Sequence, residues 1–289
     1  MTRFLVPLAV AALLISFFAL GSFTLFDVDE AVFSQATKEM VESGNWITPT
    51  YNGENRYDKP ILLYWLMGVS YKVFGINEFA ARFPSAVSGF LLCLAVFFFM
   101  RHFRDERKAL YAALPLALSP YFLVYTHAAV TDMALTLFIT LALFSFFLSV
   151  ERRPGADKYT MGMYVFAALA FLTKGLIGIL FPFGIAYVYL LRTEGLRGLK
   201  KIFSLKGLML FVLLCGPWYG AQLFINGQEF IQQFFVKHHL KRYTGVISGH
   251  KGPLYYYIPA LLAGLMPWVV FLPAGIRHAL RDVLSGGKE

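Results

Sequence analysis

The chain has 289 residues, of which 58% are hydrophobic and only 15% charged, with a mean hydropathy of +0.60. Soluble domains carry about 25% charged residues, so the composition excludes an ordinary water-soluble domain and makes lipid the main solvent. The net charge of +9 raises nucleic acid as a partner, and only the placement of the basic residues decides against it.

Uncharged runs at 4–26, 83–100, 109–131, 133–150, 159–173, 175–191, 207–228 and 252–276 predict eight membrane-spanning helices, because about 20 apolar residues cross about 30 Å of hydrocarbon. The shortest, 159–173, is long enough when Lys158 and Lys174 snorkel to the interfaces. Run 4–26 outlasts the apolar stretch of a secretory signal. It is read as an uncleaved first span despite a weak cleavage motif at Ala19-Leu20-Gly21.

Beyond it, 27–44 predicts an amphipathic helix outside the membrane. Asp27 and Glu30 fit a capping box, Val32, Phe33, Ala36 and Met40 share a face, and Gly44 is a stop. Residues 47–57 predict a hairpin turning at Asn52-Gly53. Pro60 opens a second helix over 60–74, only about 23 Å long and so interfacial or re-entrant. Later outer turns are 126–132 and 173–175, and outer segment 226–253 predicts another interfacial helix from Gln228 to Tyr243.

With the N-terminus inside, the inner segments 1–3, 101–108, 151–158, 192–206 and 277–289 hold 16 of the 26 Lys and Arg. That is the positive-inside bias, a matter of topology and not the footprint of a phosphate backbone. No nucleic-acid partner is expected. Cys93 and Cys215 fall inside apolar runs and are expected to be unpaired. The expected fold is an all-α polytopic membrane protein, one transmembrane domain over 1–289, with both termini cytoplasmic and outer loop one, 27–82, as its chemical part.

The polar residues with chemical potential all fall on the outer side: Asp29, Glu30, Asp58, Lys59, Arg82, His127, Asp132, Lys174, the His238–Arg242 run and His250. Cations near the headgroup plane can hold a phosphate, and a carboxylate can take a proton from an incoming hydroxyl or amine. The set suits a reaction on an anionic lipid. Each residue also has an ordinary reading. Asp27, Asp29 and Glu30 favour a helix N-terminus, Asp132 caps a span, Lys59 and Lys174 anchor at an interface, and His238 and His239 are surface polarity. No histidine pair has i, i+4 metal-ligand spacing.

Asp29-Glu30, Glu42-Ser-Gly-Asn-Trp46, Pro49, Asn52-Gly53, Asp58-Lys-Pro60 and Leu63-Tyr-Trp65 together resemble the first outer loop of GT-C glycosyltransferases that use polyprenyl-phosphate sugars. Within that group the resemblance is to bacterial lipid A aminoarabinose transferases and the dolichyl-phosphate-mannose protein mannosyltransferase superfamily. Arg82-Phe-Pro-Ser85, Thr131-Asp132, Leu172-Thr-Lys-Gly175, His238–Arg242, Pro253–Tyr257 and Pro267-Trp268 are similar to later family segments in the same order.

The resemblance implies a GT-C-like bundle and an inverting transfer of sugar from a polyprenyl-phosphate donor to a lipid or protein acceptor. It places the reaction on the periplasmic face of a bacterial inner membrane. It implies Asp29, Glu30 and Asp132 as catalytic carboxylates, and Lys59, Lys174 and Arg82 as phosphate partners. It also implies Asp58 and His239 as ligands of a divalent metal, with no nucleotide. Family members usually run on into further spans and a soluble outer domain, which leaves a fragment or a short form open. The rival readings are a lipid or sugar transporter or flippase, and a non-catalytic binding subunit.

Overall fold

The computed structural model describes residues 3–26, 28–151, 156–240 and 254–284. It is helical apart from one small hairpin. In chain order the elements are α1 (Leu5–Phe17), α2 (Val28–Ser43), β1 (Thr50–Tyr51), β2 (Glu54–Asn55), α3 (Leu62–Phe74), α4 (Glu78–Phe103), α5 (Glu106–Ala117) and α6 (Pro120–Thr126). There follow α7 (Asp132–Val150), α8 (Ala156–Lys174), α9 (Ile177–Glu194), α10 (Leu205–Phe230), a π-helical stretch Ile231–Leu240, α11 (Tyr257–Gly264) and α12 (Leu272–Leu284).

Among the described residues, four helices are long and apolar enough to cross a membrane, or up to six if each of two bent pairs is one span. This bears out the expected all-α polytopic fold, but not the expected count of eight spans. Helix α7 packs along α8, which also contacts α9 and α10, while α4 packs against α7, α5, α3 and α1. Two ends are distinguished by their turns. At one, His102 Nε2 lies 3.8 Å from Glu151, linking the α4–α5 and α7–α8 turns. At the other, the end of α8 meets the start of α7 through Lys174 and Asp132.

Four expected spans differ in shape. The first stops at Phe17: Phe18 is extended and Ala19 has φ +55°. An uncharged run contains no stop signal. The stop is made in three dimensions, where the carbonyls of Leu20, Phe23 and Thr24 accept hydrogen bonds from Arg82 instead of from a continuing helix. The third breaks between α5 and α6 with a 66° bend. Pro120 disfavours the helical conformation at Ser119, and the Ser119 hydroxyl caps the new helix by accepting from Phe122 N–H. The last is bent by 108° between α11 and Trp268–Arg281, with Pro267 at the break. The seventh runs on to Phe230 through a non-helical Gly227.

Residues 28–74 fold as a helix, a hairpin and a second helix, and they supply most of the largest core cluster among the described residues. In the hairpin Thr50 pairs with Asn55 and Tyr51 with Glu54, and Asn52 and Gly53 both take positive φ. This is the I′ geometry that an Asn-Gly pair favours. Phe33 and Met40 of α2 pack on Tyr64, Met67 and Tyr71 of α3, and the same cluster takes in Ala129, Leu172, Trp218, Phe230 and Phe234. Helix α3, with 13 residues, is thus a partner of α2 more than a span.

Candidate functional site

Five short segments are drawn together at the end of the bundle where α7 begins and α8 ends. The first is the start of α2. Glu30 is completely buried, and its Oε1 accepts from Arg82 Nε at 3.0 Å and Ala129 N–H at 2.6 Å. Its Oε2 accepts from Arg82 Nη2 at 3.1 Å and Phe26 N–H at 3.3 Å. Arg82, 2% exposed, gives its remaining N–H groups to the carbonyls of Leu20, Phe23 and Thr24. A guanidinium has five donors and a carboxylate about four acceptor positions, so both groups are saturated. The pair clamps α2, the 18–26 segment, α4 and the 127–131 turn together.

That placement corrects two expectations. Glu30 has no lone pair left for an acceptor proton, and Arg82 has no N–H left for a phosphate. Their environment is structural. The capping-box partner Asp27 lies outside the described residues.

The 127–131 turn is fixed from other sides as well. The His127 ring lies 3.1 Å from the Phe18 carbonyl at Nε2 and 2.9 Å from the Leu123 carbonyl at Nδ1. Helix α6 lies so close to α4 at Gly89 that a Cβ there would come within 2.1 Å of Thr126 Cγ2. Only a glycine admits this approach, and it sets where Asp132 begins α7.

Asp132 Oδ1 accepts from Lys174 Nζ at 2.8 Å, and the two side chains are 39% and 27% exposed. Unlike the Glu30–Arg82 pair, this one is partly exposed, and its two side chains make no other hydrogen bond among the described residues.

Asp58 and Lys59 stand just before α3. Asp58 Oδ2 pairs with Arg56 Nη1 at 2.9 Å. Arg56 also donates from Nε to Tyr64 Oη at 3.1 Å and covers the rings of Phe33 and Tyr51. Burial pushes the Tyr64 phenol up to about 12, opposed by the Arg56 charge and reinforced by the Asp58 and Asp29 carboxylates. Arg56 thus stands between the Tyr64 hydroxyl and the Asp58 carboxylate. Arg56 was missed by sequence reasoning. It is one of the few basic residues of the outer loop, and the rule that minority outer charges need a reason would have found it.

The described donors do not make a metal site. Asp58 already holds a guanidinium, and no group of three His, Cys, Asp or Glu among the described residues is arranged to hold an ion. The side chain of His239, and all of Lys241, Arg242 and His250, lie outside the described residues.

The loop as a whole is braced by α10. Trp218 Nε1 and Gln222 Nε2 donate to the Ile47 carbonyl at 2.9 and 2.6 Å, and Asn226 Nδ2 donates to Thr48 Oγ1 at 2.8 Å. Tyr57 Oη donates to Glu229 at 3.2 Å. Glu39 ties α2 to the hairpin, accepting from Thr50 Oγ1 at 2.7 Å and from the N–H groups of Asn52 and Gly53. Partial desolvation opposes its ionisation, but these bonds and one from Gln35 outweigh it and hold the carboxyl below its usual range.

Comparison with known proteins fits this construction. Residues 58–220 match the family described as dolichyl-phosphate-mannose-protein mannosyltransferase. An uncharacterized protein of Aquifex aeolicus is 34% identical over 90% of this chain and 59% of its own. The undecaprenyl phosphate-alpha-4-amino-4-deoxy-L-arabinose arabinosyl transferase of Aeromonas hydrophila is 31% identical over 89% of this chain and 47% of its own. The crystal structure of ArnT from Cupriavidus metallidurans bound to undecaprenyl phosphate superposes with a TM-score of 0.87 at 27% identity, covering 95% of this chain and 50% of that one. The chain spans about half the length of these relatives. On the family match and the shared fold, the chain belongs to the dolichyl-phosphate-mannose-protein mannosyltransferase family, within the GT-C glycosyltransferases.

Proposed function

We propose that this chain carries the donor-handling part of a glycosyltransferase. The enzyme moves a sugar from a polyprenyl-phosphate donor to a lipid or protein acceptor on the outer face of a bacterial inner membrane. The observation that carries the reading is the half-exposed Asp132–Lys174 pair, which stands next to a saturated, buried pair in a chain with this family match.

In the proposed reaction an acceptor hydroxyl or amine attacks the anomeric carbon. The carbon–oxygen bond to phosphate breaks with inversion, and its electron pair leaves on the lipid phosphate. Asp29 takes the acceptor's proton and later yields it to water. Lys59 and Lys174 neutralise the departing phosphate, since a cation aimed at developing charge is worth far more there than in bulk water. Asp132 holds Lys174 until phosphate arrives and then accepts a sugar or acceptor hydroxyl. Glu30 and Arg82 hold the backbone that presents Asp29 and Asp132. The lipid phosphate is itself an activated leaving group, so no nucleotide is used. No step passes through a metal.

Support for a transporter is weak: α4, α7, α9 and α10 keep Asp, Glu, Lys and Arg out of their middles, where a transport pathway needs them. The test is transfer of label from a radiolabelled polyprenyl-phosphate sugar by the purified chain in vesicles, with lipid A and serine- or threonine-containing peptides as acceptors. Transfer by the wild type, and a loss of about 100-fold or more in Asp29→Asn, supports the reading. Near-normal turnover by Asp29→Asn removes that residue from the mechanism, and no transfer to any acceptor by folded protein defeats the whole.

A further inference from the structure

At the opposite end of the bundle, where α8 begins, a cavity of about 580 Å³ is lined by Lys200, Lys201 and Lys206 and by the hydroxyl-bearing Ser149, Thr160 and Ser204. This is the size range of small-ligand sites, about 300–1,000 Å³. Lys201 is taken up by Glu194. Lys200 and Lys206 have no ion-pair partner among the described residues, and the one carboxylate on the wall is Asp157. The wall is therefore net positive; the Ser149 and Thr160 hydroxyls donate to the carbonyls of Phe146 and Ala156, while Ser204 Oγ accepts from Gly207 N–H and keeps its own proton to give.

The cavity does not end at its polar wall. Met161, Leu205 and Lys206 also line a second hollow, of about 710 Å³, whose other walls are apolar: Leu208, Met209, Val212 and Leu213 of α10 among them. From Leu205 to Leu213 this groove follows α10 for about 12 Å. A cationic, hydroxylated pocket opening into an apolar groove along a spanning helix has the two-part chemistry of a single amphiphile. Helix α8 runs 19 residues from Ala156 to Lys174, so the site lies about 27 Å from the Asp132–Lys174 pair. It is distinct from the proposed reaction centre.

We propose that the juxtaposed Lys200–Lys206 cavity and α10 groove bind one anionic phosphoglyceride of the inner leaflet. Its phosphate sits among Lys200, Lys206 and Ser204, and one acyl chain lies against Leu208, Met209 and Val212. Charge complementarity selects the headgroup, since lysines at a membrane surface favour anionic lipid. The groove's apolar walls select a molecule with a tail.

The test is native mass spectrometry of the full chain, purified and delipidated, titrated with phosphatidylglycerol and with phosphatidylcholine of the same acyl chains. Phosphatidylglycerol is expected to bind about tenfold more tightly. The preference is expected to vanish in a Lys200→Gln/Lys206→Gln double variant and to persist in Lys200→Arg/Lys206→Arg. Val212→Asn is expected to weaken both lipids alike. Equal binding of the two lipids by the wild type overturns the proposal, as does a preference that survives the glutamine variant. Displacement of phosphatidylglycerol by free glycerol phosphate also overturns it, since it would show a site for a soluble anion. Undecaprenyl phosphate is expected to bind the glutamine variant as it binds the wild type. If that affinity falls instead, the hollow holds a polyprenyl phosphate and the assignment to phosphoglyceride is wrong.

Discussion

Glu30–Arg82 and Asp132–Lys174 are both carboxylate–cation pairs at the same end of the bundle, and the turn at 127–131 touches one and leads into the other. The first is 0% and 2% exposed, with every donor and acceptor used. The second is 39% and 27% exposed, with one hydrogen bond between its members. Charges taken from water must be fully satisfied or they destabilise. Charges left half in water contribute little to stability and remain open to exchange partners. The difference separates a clamp from a working pair, although the residue types alone are nearly the same.

Breaking the clamp is expected to have the largest effect. Arg82→Leu leaves a buried carboxylate without its counter-charge and three carbonyls without their donor, at a cost of about 3–5 kcal/mol. It is expected to abolish a cooperative thermal transition or lower its midpoint sharply in detergent. Arg82→Lys will not rescue it, because an ammonium has three donors where five are in use. A midpoint within a degree or two of wild type in either variant would show that the clamp is dispensable.

Loosening the brace from α10 comes next. Gln222→Ala removes one of two donors to the Ile47 carbonyl and the Oε1 that accepts from Thr48 Oγ1 and Asn226 Nδ2, and a buried group left unsatisfied costs about 1–3 kcal/mol. The melting midpoint is expected to fall by less than in Arg82→Leu. Proteolytic cleavage in the 45–58 loop should rise.

The open pair is expected to respond in the reverse sense. Asp132→Asn and Lys174→Met should each change stability by no more than about 1 kcal/mol while lowering transfer by an order of magnitude or more. A drop in stability like that of Arg82→Leu would erase the contrast between the pairs.

The smallest expected effect is at Glu39. Its folded-state pKa is depressed below the ordinary 4.5. Its stabilisation of the hairpin is therefore complete above that value and is lost as pH falls through the lower, folded-state value. At pH 6 the Asn52 and Gly53 amides should exchange more slowly in wild type than in Glu39→Gln. The ratio should approach one once pH falls below the depressed, folded-state value; a ratio independent of pH would contradict the assignment.

Where structure is dictated locally, the sequence was readable. Asn52-Gly53 makes its own turn, and the apolar face of α2 has helical spacing. What escaped was decided across the chain. Nothing in the run 4–26 marks an end at Phe17, because the cause is Arg82, some sixty residues away. Glu30 and Asp29 are neighbours with the same charge, and only the fold turns one inward to Arg82 and Ala129 while the other contributes to the field around Tyr64. The break at Ser119-Pro120 was locally encoded but was read through, because hydropathy weighs a proline no more than its neighbours.

The account rests on Lys59 and Lys174 meeting a lipid phosphate while Arg82 does not. The most direct measurement is the dissociation constant for undecaprenyl phosphate of the wild type, Lys59→Met and Lys174→Met, taken with the melting midpoint of each. The account predicts binding about tenfold or more weaker in both variants, with midpoints close to wild type. Unchanged affinity in two well-folded variants would contradict it.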